Sequence, residues 1–213
     1  MSLHVFMVGT SDWAPLADIV LPTWTEYCRE YGYKFHVEWG RKPEYDGFHI
    51  SFSKIAQVLE YFKREMPQAL WCVDMDMMIT NHRIAAQNFP SAKHAITITK
   101  DINGLNSGSF FLNGFWTLKC ELWLRSILSL RHHTTSEQHA MNWLEEAYKE
   151  DTFYYPQPSF NSIDYRAYPA FNDKNYTEKD GQWEGGHLLV HLPGQSLQER
   201  LARFPQYIPQ IIK

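Results

Sequence analysis

The run Ala69-Leu70-Trp71-Cys72-Val73 carries no polar side chain and passes directly into Asp74-Met75-Asp76. A short, wholly apolar run of this kind reads as a central strand whose sheet is covered on both faces. Two carboxylates immediately after such a strand stand at the carboxyl edge of the sheet, where α/β proteins bind their ligands. The chain is thereby directed toward a layered α/β architecture with an acidic pair at its functional edge.

The flanking sequence supplies the other layers. Residues 3–8 form an apolar run closed by Gly9-Thr10-Ser11-Asp12, which reads as a strand followed by a loop. Leu16, Ile19, Val20, Trp24, Tyr27, Cys28 and Tyr31 recur at three- and four-residue steps, predicting an amphipathic helix over 15–31 with Gly32 as its stop. Residues 33–39 alternate apolar and polar side chains as a half-buried strand does. A helix is expected from Ser51 to just before Pro67, strands over 94–99, 109–112 and 187–192, and helices over 115–130 and 137–149. The order predicts an αβα sandwich, Rossmann-like, around a mostly parallel central sheet. Residues 151–186, rich in Tyr, Asn, Asp, Pro and Gly, read as a long irregular segment, the kind of loop that usually carries function.

With 213 residues, a single domain over 1–213 is expected, whether or not it belongs to a longer chain. Hydrophobic residues at 44% and charged residues at 21% exclude disorder and collagen-like repeats. A net charge of -4 with no Lys/Arg stripe argues against nucleic acid as a partner. No apolar run reaches the length of a membrane span, and no leader pattern opens the chain. Cys28, Cys72 and Cys120 are odd in number and lie in apolar segments, so buried reduced thiols and a cytoplasmic setting are expected.

Asp74 and Asp76 offer hard oxygen ligands suited to Mn²⁺ or Mg²⁺, and so small a ligand set leaves positions open for a diphosphate. An Asp-x-Asp also simply caps a strand and turns the chain. A different chemistry starts from the same context: haloacid-dehalogenase-like phosphatases place an aspartyl nucleophile after a buried strand as Asp-x-Asp-x-Thr/Val. Here the fourth position after Asp74 is Met78, and at least two strands are expected before the pair, which ranks that reading second.

The stretch PQALWCVDMDMMITN at 67–81, then TKDINGLNSGSFFL at 99–112, then Glu137-Gln138, and finally His191-Leu192-Pro193-Gly194 form an ordered set. Over roughly residues 50–195 it resembles the GT-A nucleotide-sugar glycosyltransferases, family 34 in particular, the galactosyl, mannosyl and xylosyl transferases. That family carries in the same order a Pro-x-x-x-Trp strand ending in Asp-x-Asp, a Lys-Asp-x-x-x-Leu-Asn-x-Gly-x-Phe segment, an acidic-Gln pair and a late His-x-x-Gly. The resemblance implies a metal-dependent transferase that moves a hexosyl or deoxyhexosyl group, with retention of configuration, from a UDP-sugar to a glycan or glycoprotein. A non-catalytic sugar-binding relative is the further alternative.

The resemblance implies Asp74, Asp76 and His191 as ligands of Mn²⁺, with Mg²⁺ as the alternative ion and Asp74 also facing the ribose. His191 suits Mn²⁺ because a neutral imidazole is a borderline donor. His4, His36 and His49 read as structural or surface residues, and His187 as a neighbour of the ligand. Gly9, Thr10 and Ser11 are candidate nucleoside contacts, and Lys54 is a candidate phosphate or ribose contact. Lys100, Asp101, Asn106, Ser107 and Gly108 are expected along the sugar side of the cleft, Gly108 for close backbone approach. Asp101, Glu137 and Gln138 are the candidate catalytic residues, although a Glu following Ser136 also suits an ordinary helix start. Gly194 belongs to the donor-binding His-x-x-Gly.

One position departs from the pattern. The family follows His-x-x-Gly with a basic residue on the diphosphate, whereas residues 195–199 are Gln-Ser-Leu-Gln-Glu and the first basic side chain is Arg200. Arg200, Lys100 and Arg203 are the candidates for that role. Trp183, Tyr154, Tyr155 and Tyr176 are candidate stacking surfaces for an acceptor glycan, most aromatics being core. The sequon Asn175-Tyr176-Thr177 is expected to be unused.

Overall fold

The computed structural model describes residues 2–168 and 181–213. Tyr176 and the sequon at 175–177 lie outside the described residues. Strand β1 (Leu3–Gly9) leads into helix α1 (Ala14–Tyr31), which has a proline in its first turn and ends at Gly32 with φ 68°. That left-handed geometry, costly for a residue with a Cβ, brings the Gly32 N–H back onto the carbonyls of Cys28 and Arg29. Strand β2 (Lys34–Trp39), helix α2 (Ile50–Glu65) and strand β3 (Ala69–Asp74) follow.

Beyond the acidic pair come β4 (Met77–Ile79), β5 (Ile96–Asp101), β6 (Gly104–Asn113), α3 (Thr117–Ser129), α4 (Glu137–Tyr148), β7 (Thr152–Tyr155), β8 (Leu189–His191) and α5 (Leu197–Arg203). The main sheet has the order β2-β1-β3-β6-β5-β7. Its pairs are parallel except where β6 meets β3 and β5, so one strand runs against the other five. The αβα sandwich with a mostly parallel sheet is therefore as expected, with β6 as its one reversal.

The period of two along the strands divides the core. Val5, Met7, Trp71, Val73 and Phe111 pack with α1, while Phe6, Leu70, Cys72, Phe110 and Leu112 pack with α2 and α3. Both faces of β3 are covered, as its wholly apolar sequence requires. The three cysteines are buried, free thiols.

A second, two-stranded sheet pairs β4 with β8 antiparallel, and its register sets Met77 opposite His191. The Trp24 indole N–H donates to the Met77 carbonyl at 2.8 Å, tying α1 to this ribbon. Asp76 and His191, 115 residues apart in sequence, thus become neighbours through strand pairing. The Leu192 N–H donates to the Asp76 carbonyl at 3.0 Å and secures the junction.

Several elements differ from the sequence reading. Strand β6 starts five residues earlier than expected, because its polar half reads as loop while its side chains are used in the site. Strand β7 and the seven-residue helix α5 are additional. Trp183 is buried, and Tyr155 is half-buried against Phe89 and Phe160, so these two aromatics serve packing rather than an open platform. No helix among the described residues is long and apolar enough to cross a membrane.

Candidate metal centre and adjoining cleft

Strand β3 ends at Asp74 and the following turn carries Asp76, so both carboxylates emerge at the carboxyl edge of the parallel strands. One donor atom from each of Asp74, Asp76 and His191 lies within 4.8 Å of the others. His191 Nε2 is 3.3 Å from Asp76 Oδ1. Its ring is buried, and Nε2 has no hydrogen-bond partner.

The opposite ring nitrogen explains this geometry. His191 Nδ1 is 2.8 Å from Asn161 Oδ1, and the Asn161 amide is held in turn by donating to Thr99 Oγ1 at 3.1 Å. An acceptor at Nδ1 places the proton there and leaves the lone pair of Nε2 facing the carboxylate. Two electron-pair donors turned toward each other in a buried site call for a positive charge between them, a shared proton or a metal ion. The residues present therefore fit a divalent ion with mixed oxygen and imidazole ligands.

Two buried cations balance the acids. Lys54 Nζ lies 2.8 Å from Asp74 Oδ1, 3.0 Å from Glu137 Oε1 and 3.0 Å from the Ser107 carbonyl. Burial works against its charge, but the carboxylates of Asp74 and Glu137 outweigh that cost and hold its pKa above the ordinary value. Arg200, buried on α5, donates from Nη2 to Asp76 Oδ2 at 2.7 Å and from Nε to the Leu192 carbonyl at 3.0 Å. Its guanidinium lies 4.5 Å from the centre of the Trp13 ring.

The acids respond differently. Burial pushes Asp74 up, against the pull of Lys54 and with the help of the Asp76 charge. Asp76 is held low: burial opposes its charge, but the positive charge of His191, when its ring is protonated, and that of Arg200 prevail. Glu137 is drawn down to about 2, because Lys54 and the hydroxyls of Ser51 and Ser107 overcome its burial. Ser107 Oγ donates to Glu137 Oε1 at 2.8 Å.

Two cavities meet at this cluster. One, of about 190 Å³, is lined by Gly9, Thr10, Trp13, Lys54 and Met75. The other, of about 510 Å³, is lined by Asp101, Asn106, Ser107, Gly108, Gln138 and Gly194. Asp74, Asp76, Glu137 and His49 border both. Most sequence-predicted residues are thus brought together. In the second cavity Asp101 accepts from Asn106 Nδ2 at 2.5 Å, with Gln138 Nε2 3.4 Å from its Oδ1.

Two placements differ from expectation and two refine it. Lys100 turns to Glu145 and lies 4.7 Å from the Tyr154 ring centre, away from the cavities, because a half-buried carboxylate and an aromatic face are its nearest partners. Ser11 starts a 3₁₀ turn and lines neither cavity. Lys54 is spent internally on two carboxylates and a carbonyl. His49, expected as structural or surface, has the structural role of capping α2, accepting weakly from Ser51 N at 3.4 Å, and it also reaches the boundary of both cavities.

Of the candidate basic residues, Arg200 reaches the acidic pair, and Arg203 lines a separate hollow with Asp164 and Tyr207. Gly108 permits a close approach, but to the protein itself: a Cβ there would fall 2.6 Å from His191 Cε1. Asn161, Trp13, Tyr165 and Tyr168 also belong to the site or its support, and the sequence singled out none of them. Asn161 sits in the segment read as irregular, where no periodic or motif signal marks a residue.

No family model matches the sequence, and no curated protein matches it. Solved structures do match. A glycosyltransferase involved in glycosylation of the major capsid of PBCV-1 aligns over 97% of this chain and all of its own, with TM-score 0.76 and 15% identity. The glycosyltransferase GlyE of Streptococcus pneumoniae TIGR4 aligns over the whole chain and 61% of its own, with TM-score 0.63 and 12% identity. The galactosyltransferase LgtC, solved with donor and acceptor sugar analogues, aligns over 99% of this chain and 96% of its own, with TM-score 0.57 and 11% identity. The fold is that of GT-A glycosyltransferases, and the resemblance read from the ordered motifs is borne out as a likeness of fold. In its compactness and want of an apolar span the sequence also resembles the N-terminal domain of a chlorella-virus glycosyltransferase acting on capsid glycans, and the first of these structures bears out that likeness as one of fold.

Proposed function

We propose that this chain is a metal-dependent glycosyltransferase that takes a hexosyl or deoxyhexosyl group from a nucleoside-diphosphate sugar, UDP-linked by preference, and transfers it with retention to a glycan or glycoprotein acceptor. The observation that carries the reading is the convergence of Asp74, Asp76 and His191 between two cavities, on a fold shared with sugar transferases. In this reading the nucleoside occupies the smaller cavity beside Gly9, Thr10 and Trp13. The sugar occupies the larger one beside Asp101, Asn106, Glu137 and Gln138. Three buried thiols suit a cytoplasmic setting.

A bound Mn²⁺ would supply Lewis-acid neutralisation of the charge that builds on the leaving diphosphate. Asp76 and His191 hold their donor atoms in place for it, and Asp74 completes the set. Glu137 stays ionised, as its lowered pKa requires, and gives negative charge near the anomeric carbon as oxocarbenium character develops. Its Oε1 already accepts from Lys54 and Ser107, which suits electrostatic support better than nucleophilic attack. Front-face transfer is therefore favoured, with the leaving phosphate taking the acceptor's proton. Asp101, held by Asn106 and Gln138, fixes the polar wall against which sugar hydroxyls bind.

The phosphatase alternative has less in its favour, since Asp74 is tied to Lys54 and Met78 is buried in β4. The test is a panel of UDP- and GDP-sugars incubated with Mn²⁺, following release of the nucleoside diphosphate. Slow hydrolysis of one donor, abolished by Asp76→Asn, supports the reading. Release of phosphate from simple esters with no nucleotide preference supports the phosphatase. Binding without turnover supports the sugar-binding relative.

A further inference from the structure

Asp76 is a ligand already paired: Oδ2 accepts from the buried guanidinium of Arg200 at 2.7 Å, while Oδ1 faces His191 Nε2 at 3.3 Å. Asp74 is likewise paired with Lys54, whose charge is shared with Glu137. Three carboxylates are thus countered by two fixed cations, and the cluster retains one net negative charge with His191 neutral. A free divalent ion entering this site gains little Coulombic attraction and is repelled by Lys54 and Arg200 at close range, in surroundings too buried for solvent to screen them well. A diphosphate arriving with the ion supplies the negative charge that the protein's own acids have spent. Arg200 cannot relax away, because its Nε is bound to the Leu192 carbonyl and its face is stacked on Trp13.

We propose that Arg200 is a positioning residue that keeps the affinity of Asp76 for a free divalent ion low, so that the ion is held only together with the diphosphate of the donor. This rests on the donor reading given above. It also accounts for the missing basic residue after His191-Leu192-Pro193-Gly194: the positive charge of Arg200 is retained at this edge of the sheet but is directed at a metal ligand. Because coupling is reciprocal, the ion must raise nucleotide affinity by the factor by which the nucleotide raises ion affinity.

The test is calorimetric titration of Mn²⁺ into the wild type, Arg200→Gln and Arg200→Lys, each alone and with saturating UDP, corrected for the Mn²⁺–UDP complex in solution. The wild type is expected to bind Mn²⁺ about 30-fold more tightly with UDP than without, within the range usual for coupled sites. Arg200→Gln is expected to bind Mn²⁺ alone at least about tenfold more tightly than the wild type, as the loss of one nearby positive charge requires. Arg200→Lys, which keeps the charge, is expected to stay close to the wild type. Equal affinity of the wild type for Mn²⁺ with and without UDP overturns the proposal, as does a folded Arg200→Gln with unchanged affinity for Mn²⁺ alone. If Arg200→Gln does not fold, the wild-type comparison decides. Absence of UDP binding at every Mn²⁺ concentration counts instead against the donor reading, and the effect of Arg200→Gln on Mn²⁺ alone remains decisive for Arg200.

Discussion

Asn161 Oδ1 lies 2.8 Å from His191 Nδ1, and this contact sets which nitrogen of the imidazole carries the proton. Replacing Asn161 by Leu removes the acceptor and frees the tautomer. Loss of such a supporting contact typically weakens metal binding by about 10- to 100-fold. Calorimetry of Mn²⁺ with UDP is expected to show a loss of that size in Asn161→Leu, and near wild-type affinity in Asn161→Asp, which retains the acceptor.

Gly108 faces the same ring from the other side. A Cβ at this position would stand 2.6 Å from His191 Cε1 and 3.0 Å from Met77 Cε. Gly108→Ala is therefore expected to displace the imidazole and abolish metal-dependent nucleotide binding. The circular dichroism spectrum should remain that of a folded protein, since Gly108 has no positive φ that the new side chain would strain.

Glu137 gives the protein an acid-sensitive component of stability. Its pKa falls from the ordinary carboxylate value to about 2 on folding, so its contribution is complete above the unfolded value and is lost as pH drops toward 2. The displacement corresponds to roughly 3 kcal/mol. Urea unfolding from about pH 6 to about pH 2, a span that covers the ordinary and the lowered carboxylate values, should show a larger loss in the wild type than in Glu137→Gln, and the variant should be the less stable of the two at neutral pH.

Trp24 links the helical layer to the ligand-bearing ribbon through its hydrogen bond to the Met77 carbonyl. Trp24→Phe leaves that carbonyl without its indole donor and opens space beside Trp71, whose ring centre is 5.0 Å away. A destabilisation of about 1–3 kcal/mol is expected from the unmet acceptor. Thermal unfolding measures the stability, and the same variant should bind Mn²⁺–UDP more weakly.

The elements legible in the sequence are those whose pattern is local. The apolar β3, the periodic α1 and the acidic pair are each readable within one stretch of chain, and the order of motifs carried the fold class. The polar half of β6 was not legible, because Asn106 and Ser107 look like loop residues until their buried partners are known. Arg200 on Asp76 and Asn161 on His191 were equally hidden. Each contact depends on strand pairing or helix docking across tens of residues, and no local spacing encodes that geometry. Gly108 was marked for close approach to a sugar, whereas the group that approaches it in the structure is the His191 ring.

Asp74, Asp76 and His191 are proposed to form a metal site for a nucleoside diphosphate. Calorimetric titration of UDP into the wild type and Asp76→Asn, with and without Mn²⁺, tests it most directly. UDP binding is expected to require Mn²⁺ and to disappear in Asp76→Asn. Absence of UDP binding under every condition, or Mn²⁺-dependent binding that survives in Asp76→Asn, would contradict it.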